Sequence, residues 1–238
     1  MIWTIIGISW YDWRDQEYFN DLSIDKFILS QSIKKNKRIL FVPTASWDDE
    51  NYCNMFEKVY GKKLWCTTDC LLLYKRQYTL EQLVAIANKT DIIYVGWWDT
   101  KKMLTKRKQT WFDKIVTYFY VKWGIIAWIS AGAMCSFTSW FWDSGDLIKW
   151  LDFVKGNFIP HFVKDNSNET ITSMKKNKVK SAIGFPDYSL FYKHGNDEKI
   201  GIFKPSLDIE VFIKKGTSII KKSITLDEWF HKATLLFD

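Results

Sequence analysis

The stretch from residue 125 to residue 146, IIAWISAGAMCSFTSWFWDSGD, limits the possible folds of this chain more than any other segment. It opens with an apolar run at 125–127 that is long enough to form a buried strand. Ser130 follows, and after it come small residues at 131–133 and an apolar segment typical of a helix. A serine on a sharp strand-to-helix turn has its Oγ lifted away from the sheet, with the following N–H groups aimed at a developing oxyanion. Ser130 is therefore a candidate nucleophile.

The residues that flank Ser130 match the usual pattern of such a turn only in part. The pattern is G-x-S-x-G, because a side chain at either flank would crowd the turn. Gly132 occupies the second glycine position, but Trp128 occupies the first. Small-residue turns after buried strands are common in α/β proteins, so a tight packing turn without a nucleophile is the alternative interpretation.

Buried strands alternate with helices through the first half of the chain. Apolar segments predict strands at 3–8, 38–43, 70–74, 91–96 and 125–129, and helical spacing lies between them at 18–33, 49–60, 79–88 and 112–121. This alternation predicts an α/β fold with a doubly wound, mostly parallel sheet flanked by helices. Ligands of such sheets bind beyond the carboxyl ends of the strands, where Ser130 and the segment 96–100 both lie.

The pattern changes after residue 146, where a C-terminal hairpin is predicted around Lys215-Gly216. The segment 226–236 fits either a closing helix or a strand. The chain has 238 residues without a linker, a low-complexity tract or an internal repeat, so we expect a single domain over 1–238.

Composition favours an ordinary globular protein of the cytoplasm. No apolar run approaches the roughly 18 residues of a membrane span, and the N-terminus MIWTIIGISW lacks a basic targeting region, so no membrane partner is expected. Four cysteines suit a reducing compartment, and only Cys66 and Cys70 lie close in sequence, without a second pair to complete a zinc site. The net charge of +7 comes from lysine clusters that suit a solvated surface, so a nucleic-acid partner is not expected.

Several blocks of the chain, taken in order, resemble the peptidase E family, whose members are serine dipeptidases that cleave after an N-terminal aspartate. The likeness covers roughly residues 1–195, and the blocks are FVPTAS (41–46), DIIYVGWWDT (91–100), AWISAGAMCSF (127–137), DSGD (143–146) and IPHF (159–162). The resemblance implies a class I glutamine amidotransferase-like fold and hydrolysis of small acidic peptides without a metal or another cofactor. Monomer and homodimer both stay open.

The resemblance also implies roles for particular residues. Ser130 matches the family nucleophile and His161 its general base, while Asp143 and Asp187 both match acidic positions that could complete a triad. The N–H groups of Ala131 and of the loop formed by Gly96, Trp97 and Trp98 are the implied oxyanion donors.

The residues themselves favour the same histidine. The chain has three histidines: His231 lies in a basic terminal segment and His194 in a turn, where a solvated role suits both. His161 follows Pro160 after an apolar strand, where a side chain is held at a strand end. A lone histidine is usually structural, but a serine on a tight turn makes His161 the candidate base.

Tryptophan stands where the family has glycine. The chain has 14 tryptophans and 11 glycines, whereas average usage of about 7% would give roughly 17 glycines. Trp98 is expected to fill the oxyanion space, and Trp128 is expected to clash inside the turn. The glycine positions of the family fall at Trp97, Trp98 and Trp128, and five more are inferred at Trp10, Trp47, Trp65, Trp123 and Trp140.

Three interpretations of these tryptophans compete. The chain could be a degenerate, inactive relative, or its tryptophans could form an aromatic ligand platform. Alternatively, the gene uses UGA codons that its host translates as glycine, as some bacterial lineages do. We favour the last, because random decay would not select glycine positions.

Two other functions stay open. Within the fold, the alternative is another glutamine amidotransferase-like hydrolase, such as one that acts on an aspartate-rich polymer. Outside enzymology, the alternative is a binding module that uses Trp97, Trp98 and the lysine clusters, with salt-dependent binding of single-stranded nucleic acid as its hallmark.

Overall fold

The computed structural model of the chain describes residues 3–96, 106, 109–122, 124–141, 147–149, 151–204, 207–225 and 230–232. Its contacts form two compact units, which we describe in turn. The first consists of Met1–Ile6 and Asp12–Gly132, and the second of Gly7–Tyr11 and Ala133–Asp238. Four of the residues singled out above, Trp97, Trp98, Trp123 and Asp143, lie outside the described residues.

A parallel sheet forms the centre of the first unit and confirms the predicted fold class. Strand β2 pairs in parallel with β3 and β4, and β4 pairs in parallel with β5. Every residue of β4 and β5 is buried, as expected for strands covered on both faces. The strand order is β1 (Thr4–Ile8), β5 (Ile125–Ile129), β4 (Ile92–Val95), β2 (Arg38–Val42) and β3 (Thr67–Cys70).

Helices connect these strands at the predicted places, with two differences. Thr79 and Gln82 form a capping box at the start of the helix Leu80–Lys89. The helix predicted at 18–33 is broken at Leu22, whose φ of 50° cannot continue a helix. The helix predicted at 49–60 continues beyond residue 60 as a π-helix that runs through Gly61 to Lys63. The helices are α1 (Gln16–Asp21), α2 (Ser23–Ser30), α3 (Glu50–Phe56), the π-helix (Glu57–Lys63), α4 (Leu80–Lys89) and α5 (Phe112–Val121).

The third strand was predicted too late in the chain. It covers Thr67–Cys70, whereas the apolar residues Leu71 and Leu73 follow it and are buried outside any strand. The strand lies at the edge of the sheet, and its residues are exposed or half-buried. An edge strand of this kind lacks the continuous apolar run on which the prediction depended.

The second unit is built from antiparallel and mixed sheets. Strand β10 (Ser189–His194) pairs with β11 (Asp197–Ile202), which pairs with β14 (Phe230–Lys232), so the closing segment contains a strand. The predicted hairpin is present, with Gly216 at φ 62° in its turn. It belongs to a four-stranded sheet in the order β13 (Ser218–Thr225), β12 (Asp208–Lys215), β9 (Ser181–Gly184) and β8 (Phe158–Ile159).

The remaining elements are short. Helix α6 (Ala131–Ser136) follows β5, and helix α7 (Ser167–Lys176) follows a 3₁₀ turn at Lys164–Asn166. Strands β6 (Ser139–Phe141) and β7 (Leu147–Lys149) pair with each other. No helix among the described residues is both long enough and apolar enough to cross a bilayer.

Three of the tryptophans that the structure describes have a left-handed backbone, a conformation that favours glycine. The φ angles are 56° at Trp47, 57° at Trp65 and 61° at Trp111. All three side chains are exposed, by 42%, 86% and 47%. Trp47 and Trp65 are among the positions where the sequence suggested glycine, whereas Trp111 was not singled out. A bulky residue at positive φ is an outlier, so these sites would suit glycine better than tryptophan.

Replacing Trp47, Trp65 and Trp111 together by glycine is expected to raise the melting temperature of the tryptophan-containing chain. Each change relieves a conformational free energy of about 1–2 kcal/mol that a left-handed backbone costs a residue other than glycine. Because the three side chains lie on the surface, their removal does not open the hydrophobic core. Trp3→Gly is the matched control, because Trp3 has an ordinary φ and packs on the Tyr120 ring at 4.6 Å, so its loss should lower the melting temperature. Thermal unfolding by circular dichroism measures both.

An unchanged or lower melting temperature of the triple variant would contradict the strain argument. The codons of the gene and the intact mass of the protein from its native host test the UGA interpretation separately. UGG codons at these positions, or a mass that requires 14 tryptophans, would eliminate it.

Candidate active site

Ser130 alone forms the turn between strand β5 and helix α6. The strand ends at Ile129 and the helix begins at Ala131. The φ of Ser130 is 51°, in the left-handed region, and the residue is 8% exposed. Left-handed backbone at a residue other than glycine costs about 1–3 kcal/mol and is concentrated at functional sites. This is the strained strand-to-helix turn that displays a nucleophilic serine in α/β hydrolases.

Gly132 permits a close approach between two backbone segments beside this turn. A Cβ at this position would lie 3.0 Å from the carbonyl oxygen of Val95 and 3.1 Å from that of Gly96. Backbone atoms at the end of strand β4 cannot yield as a flexible side chain would. Packing therefore favours the second glycine of the G-x-S-x-G pattern at this position.

Trp128 does not clash with the turn, contrary to expectation. It lies within β5 opposite Val95 and is fully buried, and its backbone has the ordinary strand conformation. The side chain therefore packs into the layer beside the sheet instead of the turn itself. Its indole Nε1 has no hydrogen-bond acceptor among the described residues. An unpaired buried N–H costs about 1–3 kcal/mol, so the tryptophan fits this position at an energetic cost.

The structure narrows the set of oxyanion donors. The N–H of Gly96 donates to the carbonyl of Val42 at 3.0 Å, so the sheet uses it and Gly96 is not the donor that the sequence suggested. Ala131 is the first residue of α6, and the first N–H groups of a helix have no acceptor within the helix. Trp97 and Trp98, the other predicted donors, lie outside the described residues.

In the second unit, His161 and Asp187 meet because the strands before them are parallel neighbours. Phe158 of β8 pairs with Ile183 of β9, and Ile159 pairs with Gly184. The carboxyl ends of parallel strands meet at one edge of a sheet, and both side chains follow such an end. His161 Nδ1 lies 2.9 Å from Asp187 Oδ1, and both side chains are a little under half exposed.

One of the two carboxylates that the sequence left open contacts His161. Asp187 contacts the histidine, whereas Asp143 lies outside the described residues. A carboxylate on Nδ1 fixes the ring orientation and makes Nε2 the nitrogen that exchanges protons with a substrate. His161 itself has a left-handed backbone, with φ at 53°, as Ser130 does.

The other histidines occupy places that suit structural roles. His194 ends strand β10 and stacks on Tyr192, with their ring centroids 6.2 Å apart. His231 lies in strand β14.

The four cysteines are free thiols. Cys53 is hydrogen-bonded to Cys70, whereas Cys66 and Cys70 are the pair that is close in sequence. That hydrogen bond lowers the pKa of Cys53.

Ser9, which was not among the residues expected at this site, contacts it. Ser9 lies directly after strand β1, and its hydroxyl contacts the backbone of His161. The available signal was its position, since Ser9 follows a buried strand just as Ser130 does.

Comparison with known proteins identifies the family. The sequence profile of peptidase family S51 matches residues 6–199. The chain is 37% identical over 146 residues to a curated Bacillus subtilis (strain 168) protein named "Uncharacterized peptidase YgaJ". That match covers 60% of this chain and 62% of the relative, so it spans less than two thirds of the relative's length.

Solved structures show the same fold over nearly the whole chain. A crystal structure of a peptidase from an acI-B1 Actinobacterium has a TM-score of 0.68 at 17% identity, covering 98% of this chain and 97% of that one. A Listeria monocytogenes EGD-e protein whose name assigns it to peptidase E has a TM-score of 0.60 at 15% identity, covering 94% of this chain and 100% of that one. Together with the profile match, these observations place the chain in peptidase family S51.

Proposed function

We propose that this chain is a serine peptidase that hydrolyses small peptides with an N-terminal aspartate. Ser130 is the nucleophile, His161 is the general base and acid, and Asp187 orients the imidazole. The backbone of Ser130 is the observation that carries the proposal, because a left-handed serine between a buried strand and a helix has little structural use. The contact between His161 and Asp187 supports the remaining two roles.

The proposed reaction follows the general scheme of serine hydrolases. Ser130 Oγ attacks the carbonyl carbon of the scissile bond while His161 Nε2 takes the hydroxyl proton. The tetrahedral oxyanion collapses, the C–N bond breaks, and His161 returns the proton to the leaving amine. Water then attacks the acyl ester while His161 accepts one of its protons. The bond between the acyl carbon and Ser130 Oγ breaks, His161 returns the proton to Oγ, and the carboxylate product leaves.

The N–H of Ala131 is the proposed oxyanion donor among the described residues. It follows the nucleophile directly and opens helix α6, whose N-terminal end favours negative charge. Removing one oxyanion donor typically costs about 10²–10³ in rate, so the placement of this group matters for turnover.

The substrate class rests on family membership and on charge. The match to peptidase family S51 supports peptide hydrolysis, and the resemblance to peptidase E supports an N-terminal aspartate. The net charge of +7 favours the approach of acidic peptides at low ionic strength. An amine-blocked N-acetyl-aspartyl peptide should be a poor substrate, because the preferred peptides carry a free N-terminal residue.

Ser130→Ala is expected to abolish hydrolysis of an Asp-Xaa dipeptide, with a fall in kcat of roughly 10⁴ or more. Ser136→Ala is the matched control, since Ser136 is a buried serine at the end of helix α6, which follows Ser130, and its Oγ donates to the Ala133 carbonyl at 2.8 Å. Initial rates of dipeptide cleavage and labelling by a fluorophosphonate probe measure the difference.

Retained turnover in the Ser130 variant would overturn the role of this serine. A substrate panel tests the class of reaction with the same enzyme. Cleavage of an aspartate polymer without cleavage of dipeptides would favour a different hydrolase of this fold, and salt-dependent binding of single-stranded nucleic acid without any hydrolysis would favour a binding module.

Asp187→Asn and Asp143→Asn, measured side by side, test which carboxylate orients His161. Asp187→Asn is expected to lower kcat by roughly 10²–10⁴, because an amide no longer holds the required tautomer. Asp143→Asn is expected to leave kcat within about twofold, since the histidine already has its partner. The reverse result would move the role to Asp143, and full activity of both variants would refute the triad.

Gly132→Ala is expected to lower both stability and activity, although alanine is the better helix former. The added Cβ would meet two backbone carbonyls at 3.0 and 3.1 Å, so the turn that carries Ser130 must shift. A displacement of about 1 Å can cost roughly 100-fold in rate. Melting temperature and kcat measured on one preparation test this, and an unchanged or higher melting temperature would show that the turn has spare room.

A further inference from the structure

The hydroxyl of Ser9 joins the two chain segments that carry His161 and Asp187. Ser9 is fully buried directly after strand β1. Its Oγ accepts a hydrogen bond from the backbone N–H of His161 at 2.9 Å and donates one to the carbonyl of Phe185 at 2.8 Å. Its own N–H donates to the carbonyl of Ser189 at 2.9 Å. One side chain thus contacts the backbone of the histidine and the segment that leads to the aspartate.

These bonds reinforce a link between the same two segments. The N–H of Phe185 donates to the carbonyl of Ile159 at 2.8 Å, and the N–H of Phe162 donates back to the carbonyl of Phe185 at 3.0 Å. The backbone of residues 159–162 is therefore joined to Phe185 on both sides of His161. Neither of these bonds uses the N–H of His161 itself, which donates to the Ser9 hydroxyl.

Both segments carry a strained residue at the catalytic pair. His161 has a φ of 53°, and Tyr188, directly after Asp187, has a φ of 61°. Such conformations persist only where surrounding contacts determine them. Ser9 holds the N–H of His161, and the carbonyl of Trp10, the next residue, accepts the N–H of Tyr188 at 2.7 Å. Two consecutive residues after β1 therefore fix both strained positions.

We infer that Ser9 is a positioning residue, whose hydroxyl holds the backbone of His161 and of Phe185 in the relative placement that lets the imidazole meet Asp187. Its effect on turnover rests on the proposed function of this pair, whereas its effect on the contact between His161 and Asp187 does not. A misplacement of about 1 Å at a catalytic group can cost roughly 100-fold in rate. A buried hydroxyl that takes no part in the chemical steps can therefore affect the rate by holding the histidine in place.

A comparison of Ser9→Ala with Ser167→Ala separates positioning from general stability. Ser167 is a buried serine of the same unit, whose Oγ donates to the Lys164 carbonyl at 2.6 Å and does not contact the catalytic pair. Ser9→Ala is expected to lower kcat by roughly 10–100-fold with KM within about twofold, since the geometry of the reacting groups changes and substrate binding does not. Ser167→Ala is expected to leave both constants within about twofold.

The proton between His161 Nδ1 and Asp187 Oδ1 gives a second measurement that needs no substrate. Its ¹H NMR resonance in the full chain should disappear in Ser9→Ala and in Asp187→Asn, and it should persist in Ser167→Ala. Persistence of the resonance in Ser9→Ala together with an unchanged kcat would overturn the inference. If Ser130→Ala stays active, the proposed function fails, but this resonance still tests the role of Ser9.

Hydrogen exchange of the unaltered chain tests the inference even if the Ser9→Ala variant does not fold. In the unaltered chain, the backbone N–H of His161 should exchange with solvent roughly 100-fold or more slowly than an unstructured amide, because Ser9 holds it. Exchange at the unprotected rate would show that the bond is absent and would overturn the inference.

Discussion

Parallel strand pairing determines where the chemically important residues of this chain lie. A parallel pair leaves the two carboxyl ends side by side, so residues distant in sequence meet immediately beyond them. In the first unit, the pairing of β4 with β5 brings the backbone of Gly96 close to the turn at Ser130. In the second unit, the pairing of β8 with β9 brings His161 to Asp187. The same geometric constraint operates twice, once at Ser130 and once at the contact between His161 and Asp187.

Two groups of residues with left-handed backbone differ in their surroundings. At Ser130 and His161 it occurs at buried or hydrogen-bonded positions, where neighbouring contacts hold the strain. At Trp47, Trp65 and Trp111 it occurs on exposed surface, where we find no chemical use for it. Strain at the first kind of site is consistent with function, because it places a side chain where an ordinary turn would not. Strain at the second kind indicates a poor match between residue and conformation.

The sequence predicts the buried strands and the C-terminal hairpin, but it does not predict the edge strand or the contact of Asp187 with His161. Strands such as β2, β4 and β5 are continuous apolar runs, and the hairpin around Gly216 has a local turn signal, so both could be predicted. The edge strand β3 has no such run. The contact between His161 and Asp187 depends on the pairing of β8, which has only two residues and therefore no periodicity. Family membership, inferred from short blocks, is confirmed over residues 6–199.

The contact between Ser9 and His161 joins residues 152 positions apart in the chain. During synthesis, the ribosome releases Ser9 near the start and His161 only after two thirds of the chain. Strand β1 and the turn at Ser130 are therefore synthesised before the residue whose backbone Ser9 holds. Until His161 and Phe185 follow, the Ser9 hydroxyl lacks these two hydrogen-bond partners. The link that Ser9 makes between the two segments can therefore form only late in synthesis.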